Sequence, residues 1–136
     1  MYRSGGIKMK YLFVMVGGFF GTISRFAVSE WFHTAGGFPF PTLFVNLAGC
    51  FALGWLLTYI SRKTNIRPEY ALIIGTGFIG SFTTFSTFTV ETLTLFSQGF
   101  LLQAMIYVAV SIIIGLLMTY IGYKLASPMK RRGDSI

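Results

Sequence analysis

Charged residues are scarce in this chain. Among 136 residues there are four acidic and eleven basic side chains, 11% of the total, where an ordinary soluble domain has roughly 25%. A soluble domain of this size needs a charged surface, because about half of its residues face water. Three stretches, residues 31–61, 70–90 and 92–123, contain no Asp, Glu, Lys or Arg. Each is long enough for a helix to cross a bilayer, so the composition predicts an integral membrane protein.

Cysteine and histidine are also nearly absent. The single cysteine, Cys50, excludes an internal disulfide, and the single histidine, His33, lies in a predicted loop. No Cys/His cluster suits a metal, no glycine-rich phosphate motif ends in Lys-Ser/Thr, and His33 offers no base for a serine triad. The net charge of +7 would indicate nucleic acid in a soluble chain, but here the cations stand at the ends of apolar runs. The sequence predicts neither an enzyme nor a nucleic-acid-binding protein.

The apolar runs predict an all-α fold with four transmembrane helices, at about residues 10–31, 41–61, 69–97 and 100–124. The alternative for the first run is a cleaved signal peptide, but Arg25 and the Gly17-Gly18 pair favour a retained helix. We expect a single membrane domain over residues 1–127 and a short, basic, disordered tail over residues 128–136.

The basic residues are concentrated on one side of the predicted membrane. The amino-terminal segment, the loop between the second and third spans and the carboxyl-terminal tail carry ten of the eleven, and the other two loops carry none. Positively charged loops stay in the cytoplasm during insertion. We therefore expect both termini in the cytoplasm and one fixed orientation.

Polar residues inside the first two spans need a partner or a water-filled cavity. Thr42 and Asn46 are four residues apart on one helical face, and Gly49 continues the stripe. Asn46 either makes an interhelical hydrogen bond or directs its amide donors at the path of an anion. Arg25, near the far end of the first span, either anchors the helix at the interface or attracts anions to a vestibule.

The third span contains a block that is poorly suited to an uninterrupted helix. Three glycines within residues 75–80 precede the hydroxyl-rich residues 81–89, in which Ser81, Thr83 and Thr84 are candidate N-caps of a new helix. A break near mid-membrane would offer backbone carbonyls to cations and backbone amides to anions. The alternative is that these small residues only allow close helix packing.

Two phenylalanines follow the predicted break on one helical surface. The positive edges of Phe85 and Phe88, beside neutral donors, suit a bare anion, whereas a fixed Lys or Arg would bind it too tightly for fast passage. Glu91, one turn beyond, is protonated, hydrogen-bonded or in contact with water. Tyr107 and Ser111, four residues apart in the fourth span, are a further polar pair on one face that could line the same route.

Three blocks together resemble the Fluc/CrcB family of bacterial fluoride channels. They are GGFFGTISRF at residues 17–26, TLFVNLAGCF at residues 42–51 and GFIGSFTTFSTF at residues 77–88. The third block is the most specific, and the similarity covers nearly the whole chain. The resemblance implies an antiparallel dimer of four-helix subunits with two pores in the bacterial plasma membrane. It also implies passive fluoride efflux that protects against fluoride toxicity.

The resemblance also implies roles for individual residues. Phe85, Phe88 and Asn46 match residues that line the fluoride pore. Further positions along or near the pathway are matched by Thr42, Ser86, Thr87, Glu91, Tyr107 and Ser111. Gly80 and Thr83 match the break positions whose backbone carbonyls hold a structural sodium ion at the dimer interface, and oxygen ligands suit that hard cation.

The charge bias departs from what the resemblance implies for single-gene members, which insert in both orientations. We therefore expect a heterodimer with a homologous subunit of opposite orientation. Two other functions stay open at this point. A small proton-coupled multidrug-type antiporter would need a carboxylate deep in the first span, and Glu30 is too near its end. A purely structural membrane subunit would use the glycines and hydroxyls for assembly.

Overall fold

All regular secondary structure in the described part of the chain is helical. A computed structural model describes residues 4–32, 37–62 and 68–127, and within these ranges there is no strand. The elements are α1 (Ser4–Trp31), α2 (Phe40–Arg62), α3 (Pro68–Ala71), a π-helical segment (Leu72–Ile79), α4 (Gly80–Phe82), α5 (Phe85–Ser97) and α6 (Leu101–Ala126). The tail predicted at residues 128–136 lies outside the described residues.

Four stretches are long and apolar enough to cross a bilayer. They are Met9–Trp31, Phe40–Arg62, Glu69–Ser97 and Leu101–Ala126. The predicted all-α membrane fold with four spans is therefore confirmed. Most large apolar side chains on these helices are exposed, as expected where the solvent is lipid and not water.

The second and fourth spans, α2 and α6, run in the same direction and form the most extensive helix pair in the described chain. Glycines bring the two backbones together. A Cβ at Gly54 would overlap the Thr119 carbonyl oxygen, and a Cβ at Gly122 would overlap the Phe51 carbonyl oxygen. Small residues allow this close approach, which is a principal source of helix association in membranes.

The first span packs on the π-helical segment of the third in a similar way. A Cβ at Gly17 would lie 2.7 Å from the Ile73 carbonyl oxygen, and a Cβ at Gly77 would lie 2.8 Å from the Val14 carbonyl oxygen. The glycines of both spans thus serve helix packing, which was one of the two interpretations of the glycine-rich block. The same block also ends in a break of the helix, so close packing and a helix break, the two interpretations of this block, are compatible.

The third span is interrupted near its middle. The Gly80 amide donates to the carbonyls of Gly75 and Gly77, which closes the wide π-helical turns. Helix α4 then ends at Phe82. Thr83 (φ −75°, ψ 157°) and Thr84 (φ −146°, ψ 125°) are extended before α5 begins. The predicted break of the third helix is therefore confirmed.

A short turn joins α5 to α6, and a small core is buried between these two helices. Gly99 has φ +84°, a conformation that favours glycine, and it lets α6 fold back along α5. Leu95, Ala104 and Tyr107 are buried there, and Phe88 packs against them. This core holds the start of α5 against α6, so the residues that follow the break have a fixed position.

Candidate functional site

The side-chain amide of Asn46 binds the backbone of the break. The Thr84 amide donates to Asn46 Oδ1 at 2.8 Å, and Asn46 Nδ2 donates to the Thr84 carbonyl at 3.0 Å. The pair replaces helical hydrogen bonds that the extended backbone cannot make. The interhelical bond considered for Asn46 is thus present. It uses one of the two Nδ2 hydrogens, and no described residue accepts the other.

The same contact leaves backbone carbonyls without helical partners. In a continuous helix the Thr84 amide would donate to the Gly80 carbonyl, but here it donates to Asn46. Thr83 is extended, so its carbonyl turns away from the helix axis. The break therefore offers backbone oxygens, the donor type that hard cations prefer. Among the described residues no cluster of three or more His, Cys, Asp or Glu side chains suits a metal.

A cavity of about 420 Å³ runs along the break. Its lining includes Asn46, Gly80, Thr83, Phe85, Phe88 and Ser111. The ring centroids of Phe85 and Phe88 are 6.1 Å apart, and Phe88 also packs on Tyr107 at 5.0 Å. Phe85 is 79% exposed in the single chain, whereas Phe88 is partly buried. One ring is thus fixed by the core, and the other stands at the protein surface.

Glu91 joins three spans through its two carboxylate oxygens. Thr42 Oγ1 donates to Oε1 at 2.8 Å, and the Tyr107 hydroxyl donates to Oε2 at 2.8 Å. Both donors are buried, with Thr42 5% and Tyr107 0% exposed. Of the three states considered for Glu91, the hydrogen-bonded one is observed. Both carboxylate oxygens accept a hydrogen bond from another span.

A second cavity, of about 270 Å³, lies between α1, α2 and α5. Arg25 lines it together with Thr42 and Thr87. A basic residue thus lines the same cavity as two hydroxyl-bearing residues. Thr84, alone among the described residues, lines both this cavity and the one along the break.

The remaining predicted residues occupy different places around the break. Ser86 and Thr87, in the first turn of α5, have exposed side chains next to Thr84. Ser111 faces the cavity at the break, and its hydroxyl donates to the Tyr107 carbonyl at 2.6 Å. Tyr107 instead points at Glu91. The two polar residues of the fourth span thus face different places: Ser111 lines the cavity at the break, and Tyr107 contacts Glu91.

From the sequence, Thr84 was only one of three possible N-caps. The structure makes it the cap, since its side chain accepts from the Thr87 amide. Its backbone pairing with Asn46 and the partners of Glu91 were not predicted. The partners of Glu91 lie 49 and 16 residues away in the chain. Spacing along one helix carries no signal for such contacts.

These features define a class of protein. A bundle of four membrane spans contains a discontinuous third helix, with neutral donors, aromatic rings and cavities at the interruption. Such breaks form ion sites in membrane channels and transporters. The chain belongs to the CrcB family, since the family model described as "CrcB-like protein, Camphor Resistance (CrcB)" matches residues 12–123.

Curated relatives match over most of their own length. The "Fluoride-specific ion channel FluC" of Oceanobacillus iheyensis is 47% identical over 123 residues, which cover 90% of this chain and 95% of the relative. "Fluoride-specific ion channel FluC 1" of Desulfitobacterium hafniense is 43% identical over 112 residues, covering 82% and 98%. The protein of the same name from Bacillus anthracis is 48% identical over 124 residues, covering 87% and 88%. The family resemblance of the three sequence blocks is confirmed.

Proposed function

We propose that this chain is a subunit of a fluoride-selective channel that allows passive fluoride efflux and protects the cell against fluoride toxicity. Its family and the names of its relatives support this function. The observation that carries the proposal is the geometry of the break, where Asn46, Phe85 and Phe88 line one cavity. A free amide hydrogen and ring edges can replace part of the water that a fluoride ion loses there.

The proposed pathway uses weak, neutral contacts in series. Asn46, Phe85 and Phe88 contact the ion at the break. The proposed route also passes Thr42, Ser86, Thr87, Glu91, Tyr107 and Ser111. Thr42 and Tyr107 donate their hydroxyl hydrogens to Glu91, and Ser111 donates to the Tyr107 carbonyl, so these three line the route without donating to the ion. Arg25 attracts the anion to the second cavity without binding it at the narrowest point. Multiple weak sites allow an ion both to enter and to leave, which conduction requires.

The alternatives find no support in the described residues. Glu30 is next to the last residue of α1, far from the middle of that span, so it does not supply the deep carboxylate that a proton-coupled antiporter needs. A purely structural subunit gives no reason for the free Asn46 hydrogen beside the cavity. The channel is therefore the function that we propose.

The backbone carbonyls at the break suit a structural sodium ion. Gly80 and Thr83 would hold it, because the Gly80 carbonyl lacks its helical donor and Thr83 is extended. Gly80 is exposed on the single chain, so the same carbonyl from a second subunit could complete the coordination. Such an ion would supply positive charge and hold the two breaks together.

The cavity at the break is completed by a second subunit in this proposal. Phe85, exposed at the surface of the single chain, becomes a wall of the pore when an antiparallel partner packs against it. The bias of basic residues toward one side fixes the orientation of this chain, with both termini in the cytoplasm of a bacterial cell. Its partner is then a homologous subunit with the opposite bias.

An experiment on this chain and an inverted copy tests both the function and the heterodimer. In the copy, the basic residues of the cytoplasmic loops are neutralised and lysines are placed in the two opposite loops. Each chain is expressed alone or with the other, purified and reconstituted in phospholipid vesicles. The expected result is rapid fluoride efflux, with no chloride efflux, from the coexpressed pair only.

The possible failures are distinct. Robust fluoride efflux from this chain expressed alone would contradict the heterodimer and support the channel. No fluoride efflux from a correctly folded pair, or equal efflux of chloride, would contradict the channel itself.

A further inference from the structure

The Thr84 hydroxyl is the centre of a small hydrogen-bond cluster at the start of α5. It accepts from the Thr87 amide at 3.2 Å and donates to Thr87 Oγ1 at 3.0 Å. It also lies 3.3 Å from the Ser86 hydroxyl. Thr84 is only 8% exposed, so this geometry is held by the surrounding protein.

The bond from Thr84 to Thr87 Oγ1 fixes the direction of the other bonds in this cluster. A hydroxyl has one hydrogen and two lone pairs. Thr84 gives its hydrogen to Thr87 Oγ1, so both lone pairs accept, one from the Thr87 amide and one from the Ser86 hydroxyl. Thr87 Oγ1 is therefore an acceptor toward Thr84, and its own hydrogen is not used within the cluster.

Other threonines of α5 behave differently. Thr89, Thr92 and Thr94 each donate to the carbonyl four residues earlier in the helix, at 2.7 to 2.9 Å. The corresponding carbonyl for Thr87 belongs to Thr83, which is extended and lies outside the helix. No described residue accepts the Thr87 hydroxyl hydrogen, and the Thr87 side chain lines the second cavity beside Arg25.

We propose that Thr84 is a positioning residue that directs the Thr87 hydroxyl hydrogen into the cavity as a donor to the passing anion. This inference rests on the proposed function. Thr84 acts through Thr87. The hydrogen that Thr84 donates is accepted by a lone pair of Thr87 Oγ1, so the hydrogen of the Thr87 hydroxyl points away from Thr84. Without that bond the Thr87 hydroxyl is free to donate elsewhere, and the anion loses an oriented donor.

The test is a double-mutant cycle in the reconstituted channel, with fluoride efflux and thermal unfolding measured for every variant. Thr84→Val should lower efflux about tenfold, the size of one lost hydrogen bond to a charged group. Thr84→Ser keeps both donor and acceptor, so its efflux should stay within about twofold of the original chain. Thr94→Val is the matched control on the same helix, and it should leave efflux unchanged.

The second half of the cycle separates positioning from capping. In a Thr87→Val background, Thr84→Val should change efflux by less than about twofold, because the hydroxyl that it orients is gone. The loss of thermal stability should persist in that background, since the Thr87 amide still loses its cap. If Thr84 has a purely structural role, both the loss of efflux and the loss of thermal stability should persist in the Thr87→Val background.

The opposing results are equally specific. Efflux losses that multiply in the double variant, or a Thr84→Ser variant that fails to conduct, would overturn the inference. If Thr84→Val does not fold, Thr84→Ala removes the hydroxyl with less bulk and replaces it in the cycle. Absence of fluoride efflux from the folded original channel would refute the proposed function, and the inference would fail with it.

Discussion

At the scale of single residues, the break depends on one side chain from another helix. Asn46 supplies both an acceptor and a donor to the backbone of Thr84, where the third span cannot satisfy itself. Unsatisfied backbone groups are costly in hydrocarbon, and each lost partner removes about 1–3 kcal/mol of stability. The same amide has one hydrogen left over, so the proposed pathway would give this residue a structural role and a conducting role together.

The substitution Asn46→Asp tests the place of Asn46 in the proposed pathway. Aspartate keeps an acceptor for the Thr84 amide, but it loses the donor and adds a negative charge beside the cavity. We expect a folded protein whose fluoride efflux falls by at least about a hundredfold, because the charge repels the ion. Efflux assays and thermal unfolding on the same sample measure this, and Asn46→Leu should lower stability further. Undiminished efflux from Asn46→Asp would contradict a place for Asn46 in the pathway.

Glu91 offers a second prediction at this scale. Glutamine retains one acceptor oxygen, but it places an NH₂ group opposite one of the two hydroxyl donors, Thr42 or Tyr107. We expect Glu91→Gln to lower the free energy of unfolding by about 1–3 kcal/mol. A cycle of Glu91→Leu with Tyr107→Phe should show strong coupling, since both changes remove the hydrogen bond between these two side chains. Additive effects would indicate that the contact carries little energy.

At the scale of helices, the pattern of the sequence predicted much of what is seen. Long apolar runs gave four spans because hydrocarbon admits few alternatives to a helix. The third-span break was predictable from its glycines and hydroxyls, whose backbone preferences are local. Two features were not: the π-helical segment and the pairing of Asn46 with Thr84. Both depend on contacts with other helices, and periodicity along one helix does not contain them.

The close approach of α2 and α6 gives a prediction at this scale. Gly122→Ala would place a methyl group against the Phe51 carbonyl, and rigid backbones on both sides cannot yield. We expect a loss of about 3 kcal/mol in stability, seen as a lower unfolding temperature or a lower yield of folded protein. Gly115→Ala is the matched control on α6, because its Cβ would meet only the Cys50 sulfur at 3.5 Å. Equal effects of the two substitutions would contradict the importance of this helix crossing.

At the scale of the whole molecule, the bias of basic residues and the exposed Phe85 both agree with the proposed antiparallel heterodimer. In the proposed assembly, the bias of basic residues would select one orientation, and the cavity beside the exposed Phe85 would need a wall from elsewhere. A partner of opposite orientation would supply that wall. The positions of the spans were accessible from composition, but the exposure of Phe85 became visible only in the folded chain.

Orientation can be measured directly. Cys50 is the single cysteine, so a Cys50→Ser background allows one new cysteine to report each loop. We expect cysteines at positions 63 and 130 to be protected from an impermeant thiol reagent in intact cells, and a cysteine at position 35 to react. Neutralising the basic residues of the middle loop should give mixed labelling. Mixed labelling of the unaltered chain would contradict a fixed orientation.

The most direct test of the proposed pathway is the effect of Phe85→Ile on fluoride and chloride efflux from vesicles that contain the assembled channel. Phe96→Ile, at an exposed phenylalanine (62%) near the other end of α5, is the control. If fluoride passes beside the ring edges at the break, Phe85→Ile should reduce fluoride efflux by at least about tenfold and Phe96→Ile should not. Equal fluoride efflux from the two variants would contradict a pathway beside Phe85.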